Sequence, residues 1–253
     1  SYCNETKFDL AINLAAQAGV RVKKDKEHLY EHSNIKGFKA FCSFCKLNNI
    51  SKIIYASSSS VYCDSTREKF CENKSELKPK SKYGLSKLLN ENYASKICNE
   101  SDISIIGLRF FSVYGPYGRP DMAYFLFTEA LKNSKSIYLH NKGLMARDMT
   151  YIDDIINGIE ASLKYLFKEN KQIKNEIFNL GNNFPITTNN LLRTLSEKLN
   201  KSSEIKNIHT KNEIQNTHAD ISKAKNLLGY QPKINFDNGI DNFLKWHSKY
   251  ENL

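Results

Sequence analysis

Ser57, Ser58, Ser59 and Ser60 follow directly on the apolar run Lys52-Ile53-Ile54-Tyr55-Ala56, and farther on Tyr83 stands four residues before Lys87 in Tyr83-Gly84-Leu85-Ser86-Lys87. These residue types suit proton transfer. A tyrosine and a lysine at i and i+4 share one face of a helix. Hydroxyls at the end of a parallel strand point toward any ligand that an open α/β sheet binds. A free tyrosine titrates near 10, so to act as a base at neutral pH it must come down by roughly three pH units, about 4 kcal/mol. A neighbouring ammonium favours the phenolate. Lys87 is therefore the expected tuner of Tyr83, and Ser58 the hydroxyl that hydrogen-bonds the same substrate oxygen. Tyr-x-x-x-Lys by itself is common on solvated helix surfaces; its partnership with a serine-rich strand end is what marks it.

The elements that must carry these groups alternate. Phe8 to Leu14 reads as a buried strand, Leu29 to Leu47 as a helix, and Lys52 to Ala56 as a second strand. Pro79 and Ser81 precede a helix through Tyr83, Leu88, Tyr93 and Ile97, and Ile103 to Leu108 reads as a third strand. Strand–helix–strand at this spacing means parallel βαβ units in a doubly wound sheet, with right-handed crossovers. Beyond Arg109 the pattern loosens. Gly115, Pro116, Gly118 and Pro120 mark a loop, and helices are expected over Met122–Leu131, Asp153–Leu166, Leu191–Leu199, Ile221–Leu228 and a last stretch ending at Tyr250. A strand is expected over Ile177–Leu180. The fold class is thus α/β, with a smaller substrate portion following the sheet.

The chain has 253 residues, 40% of them hydrophobic and 25% charged, which suits a folded domain with a substantial core. No stretch approaches the ~20 apolar residues that a membrane-spanning helix needs, and no secretory segment opens the chain. The net charge is +10, but the lysines are dispersed among Asn, Ser and Glu. No basic arm or aromatic-plus-basic strip points to nucleic acid; the excess is a solvated surface that helps attract an anionic substrate. Cys42-Ser-Phe-Cys45 invites a redox or zinc reading. A zinc site needs about four ligands and no second pair follows, so no metal is expected. Phe38, Phe41, Cys42 and Cys45 recur at helical spacing, which makes them one buried helix face. Cys3, Cys63, Cys71 and Cys98 complete the set without framework spacing, and free thiols suit a reducing, cytoplasmic compartment.

These motifs together resemble the extended short-chain dehydrogenase/reductases, and within them the NAD-dependent nucleotide-sugar epimerases. The resemblance runs from Phe8 to the last helix. It implies a Rossmann-like sheet, NAD as cofactor, a UDP-sugar substrate and a homodimer. Ser58, Tyr83 and Lys87 match the family's catalytic hydroxyl, tyrosine and lysine. Asn13 to Arg21 is similar to the strand end that lies along the cofactor, which gives Leu14, Ala15 and Ala16 cofactor contacts beside Ser57, Tyr83 and Lys87. Asn34-Ile35-Lys36-Gly37 matches the family's Asn-x-x-Gly, whose Asn supports the site. Arg109 to Pro116 resembles the loop that meets the sugar nucleotide and brings in Ser112, while Ser59 continues the serine-rich end. Gly118-Arg119-Pro120-Asp121-Met122-Ala123 is close to the run of UDP-glucuronate 4-epimerases. The guanidinium fork of Arg119 suits a sugar carboxylate; the bland alternative is a loop ion pair. Arg147-Asp148-Met149-Thr150-Tyr151-Ile152-Asp153-Asp154 matches a segment whose Arg contacts the diphosphate; otherwise Arg147 is a structural partner of Asp148. Related dehydratases place Asp-Glu, and related decarboxylases a Glu, after the catalytic hydroxyl. Here Ser59-Ser60 stand instead, which fits epimerisation at C4 of UDP-glucuronate.

Three features depart from the family. Its first strand, Gly-x-x-Gly-x-x-Gly turn and helix, which hold the pyrophosphate, have no counterpart, so the Rossmann-like part reads as N-terminally truncated and the chain as given is expected to be inactive. Cys63 stands where Gly is usual, and Lys211-Asn212-Glu213-Ile214 where Pro-Gly-Asp-Val is usual, which weakens an expected uridine contact near Glu213. The expected division is 1–112 with about 150–182 for the remaining NAD-binding part, about 113–149 and 183–235 for the substrate portion, and 236–253 for a C-terminal helix. Two other readings stand beside the leading one: a 4-epimerase of another UDP-hexose, and a non-catalytic fragment or pseudoenzyme lacking the cofactor site.

Overall fold

Ile53, Ile54 and Tyr55, and likewise Ile105, Ile106 and Leu108, leave no polar face along their strands. Strands of that kind must be covered on both sides. In the computed structural model, which describes residues 6–20, 22, 24–62, 68–168, 173–210 and 214–250, they are the middle of a parallel sheet. β1 (Ala11–Asn13), β2 (Lys52–Ser58), β3 (Ser104–Phe110) and a later strand, Asn175–Leu180, run in the order β1, β2, β3, Asn175–Leu180. Expectations that touch Cys3, Arg21, Cys63 and Lys211 to Glu213 fall outside the described residues.

Side chains alternate across the sheet with period two, and the alternation sorts them between two layers. Ile53, Tyr55 and Ile105 pack with Phe38, Cys42, Cys45, Ala94 and Cys98, from helices α1 (Gly37–Leu47) and α2 (Lys82–Glu100). Ile54, Ile106 and Leu108 pack on the other side with Ile155, Ile159, Ala224 and Tyr230. Helices on both faces make the sheet doubly wound, as the sequence pattern predicts. The expected thiol face is also found: Cys42 and Cys45 are buried, and burial pushes their thiols up to about 12 and about 11. No metal-binding cluster occurs among the described residues.

The remaining elements follow in order. β4 (Ser112–Tyr114), α3 (Ala123–Lys132), β5 (Ile137–His140), β6 (Ala146–Tyr151) and α4 (Ile152–Leu166) precede β7, the Asn175–Leu180 strand. β8 (Pro185–Thr187), α5 (Thr188–Leu199), β9 (Ile205–Ile208), α6 (Ser222–Leu228) and α7 (Phe236–Tyr250) complete the chain's described structure. β6 pairs in parallel with β4 and antiparallel with β8, and β5 pairs in parallel with β9. A second core gathers Tyr124, Phe127 and Leu131 of α3, Leu191 and Leu195 of α5, and Phe236, Ile240 and Phe243 of α7. The C-terminal helix is therefore part of this second core. α6, within the 183–235 stretch, packs instead on α4 and β7. No helix among the described residues is long and apolar enough to cross a membrane.

Two elements differ from their expected form. β1 is shorter than Phe8–Leu14: among the described residues it pairs only with β2, and Phe8, Ile12 and Leu14 are exposed. The helix expected over Leu29–Leu47 begins as a π-helical stretch, Tyr30–Lys36, before becoming α1. Such wider turns reposition side chains and recur at functional sites. Here the stretch buries Tyr30 and Asn34.

Candidate active site

β2 ends at Ser58, whose extended backbone (φ −158°, ψ 148°) turns the chain into a short 3₁₀ helix, Ser59–Val61, and whose Oγ accepts from the Ser60 N–H. Opposite it, α2 starts under the cap of Ser81, whose Oγ accepts from the Gly84 N–H at 3.0 Å. Gly84 is where the two approach. A Cβ there would lie 2.2 Å from the backbone carbonyl oxygen of Ser60, so only glycine lets α2 come close enough for Tyr83 to reach Ser58. The Ser58 hydroxyl faces the Tyr83 phenol and favours its ionised form.

Lys87, one turn on, is only 3% exposed and donates from Nζ to the carbonyl oxygen of Ala56 at 2.8 Å. Its Nζ lies 5.8 Å from the centroid of the Tyr83 ring. Burial drives its pKa down to about 8 from an ordinary 10.5. Tyr83 behaves differently from the expectation. Burial raises its pKa; the Ser58 hydroxyl and the charge of Arg119 oppose the rise. The physical reason is that desolvation of the phenol outweighs its neighbours, and the charge that favours the phenolate comes from Arg119 rather than from Lys87.

Asn34 acts from behind. Its Oδ1 accepts from the Gln17 N–H at 2.8 Å, and its Nδ2 donates to the Gln17 carbonyl at 3.1 Å and to Ser86 Oγ at 2.9 Å. Ser86 Oγ in turn donates to the Tyr83 carbonyl at 2.7 Å. The segment beyond β1 is thus pinned to the helix that carries Tyr83. Gly19 in that segment has φ +95°, and its carbonyl accepts from the Tyr30 hydroxyl.

A cavity of about 1160 Å³ opens over the carboxyl ends of the strands. Leu14, Ala16, Ser57, Ser58, Ser59, Tyr83, Lys87, Ser112, Arg119 and Arg147 all border it, so nearly every expected contact residue converges on one space. Ala15 does not border it and is exposed, its N–H accepted by the Asn13 side chain. Asn34 does not border it either, in keeping with a supporting role. Tyr138, His140, Thr188 and Thr217 line the wall near Arg147.

The two arginines differ in setting. Arg119 is 42% exposed and forks onto Asp121, with Nε to Oδ1 at 2.9 Å and a second bond from its terminal nitrogen to Oδ2. That pair holds the Asp121 carboxyl below its usual range. Arg147 donates to the carbonyl oxygens of Ala146 and Gln215. Asp148, its neighbour on β6, accepts instead from the N–H groups of Asn182 and Ala219; successive residues of a strand face opposite ways.

Arg109 corrects an expectation. Placed by resemblance in the loop that meets the sugar nucleotide, it lies in β3, buried, with Nε and a terminal nitrogen on the two carboxylate oxygens of Glu91 at 2.9 and 2.7 Å. A buried guanidinium requires such a partner. Glu91 also accepts from the Ser57 hydroxyl. Sequence reasoning passed over Glu91, although its place four residues beyond Lys87 puts it on the same helix face.

Comparison with known proteins joins this geometry to a lineage. The family model described as NAD dependent epimerase/dehydratase matches residues 1–181. The chain belongs to that family. Its members use NAD, and the extended short-chain dehydrogenase/reductase resemblance agrees with the match. Among curated members, UDP-glucuronate 4-epimerase 4 of Arabidopsis thaliana is 39% identical over 257 residues, which span 96% of this chain and 59% of the plant protein. Protein CapI of Staphylococcus aureus is 33% identical over 255 residues, with 96% and 76% covered. Among solved structures, the UDP-glucuronic acid 4-epimerase from Bacillus cereus, in complex with UDP-glucuronic acid and NAD, superposes with a TM-score of 0.88 at 31% identity, covering 96% of this chain and 76% of that one. The chain thus spans a little under three fifths of the plant relative's length.

Proposed function

We propose that this epimerase-family chain carries the reacting groups of an NAD-dependent 4-epimerase that converts UDP-glucuronate to UDP-galacturonate. The observation behind this reading is the meeting of Ser58, Tyr83 and Lys87 on one cavity wall with Arg119 beside Tyr83. Relatives and neighbours named as UDP-glucuronate 4-epimerases support it.

The residues present fit NAD. The buried Lys87 ammonium has three N–H groups, one acceptor among the described residues, and an opening onto the cavity. That is a setting for a diol. Leu14, Ala16, Ser57, Tyr83 and Lys87 would hold the cofactor, with Asn34 fixing the 14–20 segment. When bound, NAD supplies the hydride acceptor and donor at C4. Tyr83 takes the proton of the sugar O4 and later returns it. Ser58 hydrogen-bonds O4 and Tyr83 together, which fixes the proton's path. Ser59 and Ser60 offer hydroxyls but no carboxyl group, so neither expulsion of water nor a further acid step has a donor there. Arg119 pairs with the C6 carboxylate, and Arg147 with the diphosphate at the far wall. The assembly we propose is a homodimer, with Leu85 and Leu89 of α2 and Phe44 and Leu47 of α1 as exposed apolar surface.

A second reading, epimerisation of a neutral UDP-hexose, is favoured by one observation: Asp121 already satisfies the Arg119 fork. Kinetics of the full-length gene product separate the two. If Arg119 recognises the carboxylate, Arg119→Ala lowers kcat/KM for UDP-glucuronate by roughly fivefold, the upper scale of a partly exposed charge pair, and leaves UDP-glucose nearly unchanged. Equal losses on both sugars would assign Arg119 to loop structure and make the neutral sugar the better substrate.

A further inference from the structure

Three successive residues at the end of β2 each meet a different turn of α2. The Ala56 carbonyl accepts from Lys87, the Ser57 hydroxyl donates to Glu91, and the Ser58 hydroxyl faces Tyr83. Tyr83, Lys87 and Glu91 lie at i, i+4 and i+8, on one helix face. The Glu91 carboxylate also takes the Arg109 fork from β3, and Arg109 reaches on to the Tyr62 hydroxyl at 2.8 Å, which donates to Asn179 Oδ1 of β7 at 2.7 Å. One buried carboxylate thereby joins α2 to β2 directly and to β3 and β7 in sequence.

We infer that Glu91 is a positioning residue for the reaction, holding β2 and α2 in the register that brings Ser58, Tyr83 and Lys87 together. Glu91 and Arg109 do not border the cavity, so any influence must pass through Ser57, which does. Stability alone is a poor account of the pair, because buried ion pairs are often replaceable by apolar groups at no loss. What apolar groups could not reproduce is a directed bond to the residue next to Ser58. Misplacement of reacting groups by about 1 Å can cost roughly a hundredfold in rate. The inference rests on Tyr83 being the base.

Ser57→Ala cuts the link while leaving the Glu91–Arg109 fork intact, and Ser57→Thr restores a hydroxyl. In the full-length gene product, Ser57→Ala should lower kcat by roughly ten- to a hundredfold with KM for the UDP-sugar nearly unchanged. Ser57→Thr should recover most of the rate, and adding Glu91→Gln to Ser57→Ala should cost less than the sum of the two. A second readout needs no turnover: Tyr83 ionisation, measured as phenolate absorbance of each variant minus its Tyr83→Phe counterpart, should shift to higher pH in Ser57→Ala as the Ser58 hydroxyl moves away from the phenol. Asp154→Asn is the control. It removes a buried carboxylate that accepts from the N–H groups of Lys233 and Ile234, and should lower the melting temperature without moving kcat or the Tyr83 titration. An unchanged kcat and titration in Ser57→Ala overturns the inference. So does a loss confined to KM for NAD, or an equal loss in Asp154→Asn. A Tyr83→Phe protein with normal kcat instead removes the proposed role of Tyr83, an outcome the Ser57 series does not mimic.

Discussion

Lys87 is charged where the fold would prefer it neutral, and replacing it should therefore stabilise the protein while disabling it. Its pKa falls from an ordinary 10.5 to about 8 because burial penalises the ammonium. That difference corresponds to about 3 kcal/mol against the folded state wherever both states carry the proton. Lys87→Met keeps the length and apolar stem, removes the charge, and gives up the bond to the Ala56 carbonyl, worth about 1 kcal/mol. The variant should thus be more stable by about 2 kcal/mol at pH 7, which for a domain of this size raises Tm by roughly 4–8 °C.

The pH dependence gives the sign. Below pH 8 Lys87 is protonated in both states and the penalty is fully felt. Between about 8 and 10.5 the unfolded chain still binds the proton that the folded one has released, so stability of the unmutated protein rises with pH. By pH 9.5 about 2 kcal/mol of the penalty is relieved, and the advantage of Lys87→Met should be nearly gone. Urea denaturation of both proteins at pH 7 and 9.5 measures this directly, since the other titrating groups cancel in the difference. A variant destabilised at both pH values, or stabilised equally at both, would show that burial of the ammonium is not what lowers its pKa. Turnover of Lys87→Met should be lost at either pH, as expected for a group retained for function against stability.

Other expectations follow from the same geometry. Tyr83→Phe should reduce kcat of the full-length gene product by at least ~10², the lower bound for a general base, with nucleotide-sugar affinity by calorimetry nearly intact; Ser58→Ala should cost less, because Ser59 or Ser60 lies close enough to substitute in part. Gly84→Ala would gain about 1 kcal/mol from helix propensity alone, yet its Cβ would meet the Ser60 carbonyl at 2.2 Å, so denaturation should show a net loss of ~1–3 kcal/mol. Cys42 and Cys45, with thiols raised to about 12 and about 11, should resist a thiol-disulfide reagent at pH 8 in the native protein and react on unfolding; rapid labelling of both in the native state would contradict the buried-face assignment.

The parts of the fold legible in the sequence are those in which one local signal is strong enough alone. β2 and β3 announce themselves by unbroken apolar runs, α2 by the capping residue Ser81, and the cavity wall by serines at a strand end. β4, β5, β6, β8 and β9 are hidden because short strands at the margin of a second core carry no periodicity of their own; Ala146–Tyr151 becomes a strand only because β4 and β8 lie on either side. The π-helical turn that buries Asn34 is likewise a tertiary effect. So is the fate of Arg109, whose neighbours in sequence border the cavity while its own side chain turns inward to Glu91. Sequence places a residue on a strand; only the packed sheet decides which face it takes and whether a distant carboxylate awaits it. The Tyr83 pKa departs from what its helix neighbour alone would give for a related reason, since desolvation depends on what covers the phenol and not on what lies four residues away.

The two halves of the cavity are held with unequal firmness, and this bears on how substrate choice relates to chemistry. Ser58, Tyr83 and Lys87 come from one strand end and one helix joined at Ala56 and Ser57, with a glycine at their closest approach. The far wall is stapled by a buried carboxylate on backbone N–H groups: Asp148 accepts from Asn182 and Ala219. Burial raises the Asp148 pKa, and those N–H bonds oppose the rise, so the staple and its charge depend on each other. Between these walls lies the loop from Gly115 to Met122, whose charged contact is the half-exposed Arg119–Asp121 pair. A pair of that exposure is worth at most about 1 kcal/mol, little enough for a ligand carboxylate to displace Asp121. Under the proposed function, recognition of the sugar's sixth carbon would fall to the most weakly held part of the cavity and proton transfer to the most strongly held, so that changes in the loop would redirect specificity without disturbing the register of the reacting groups.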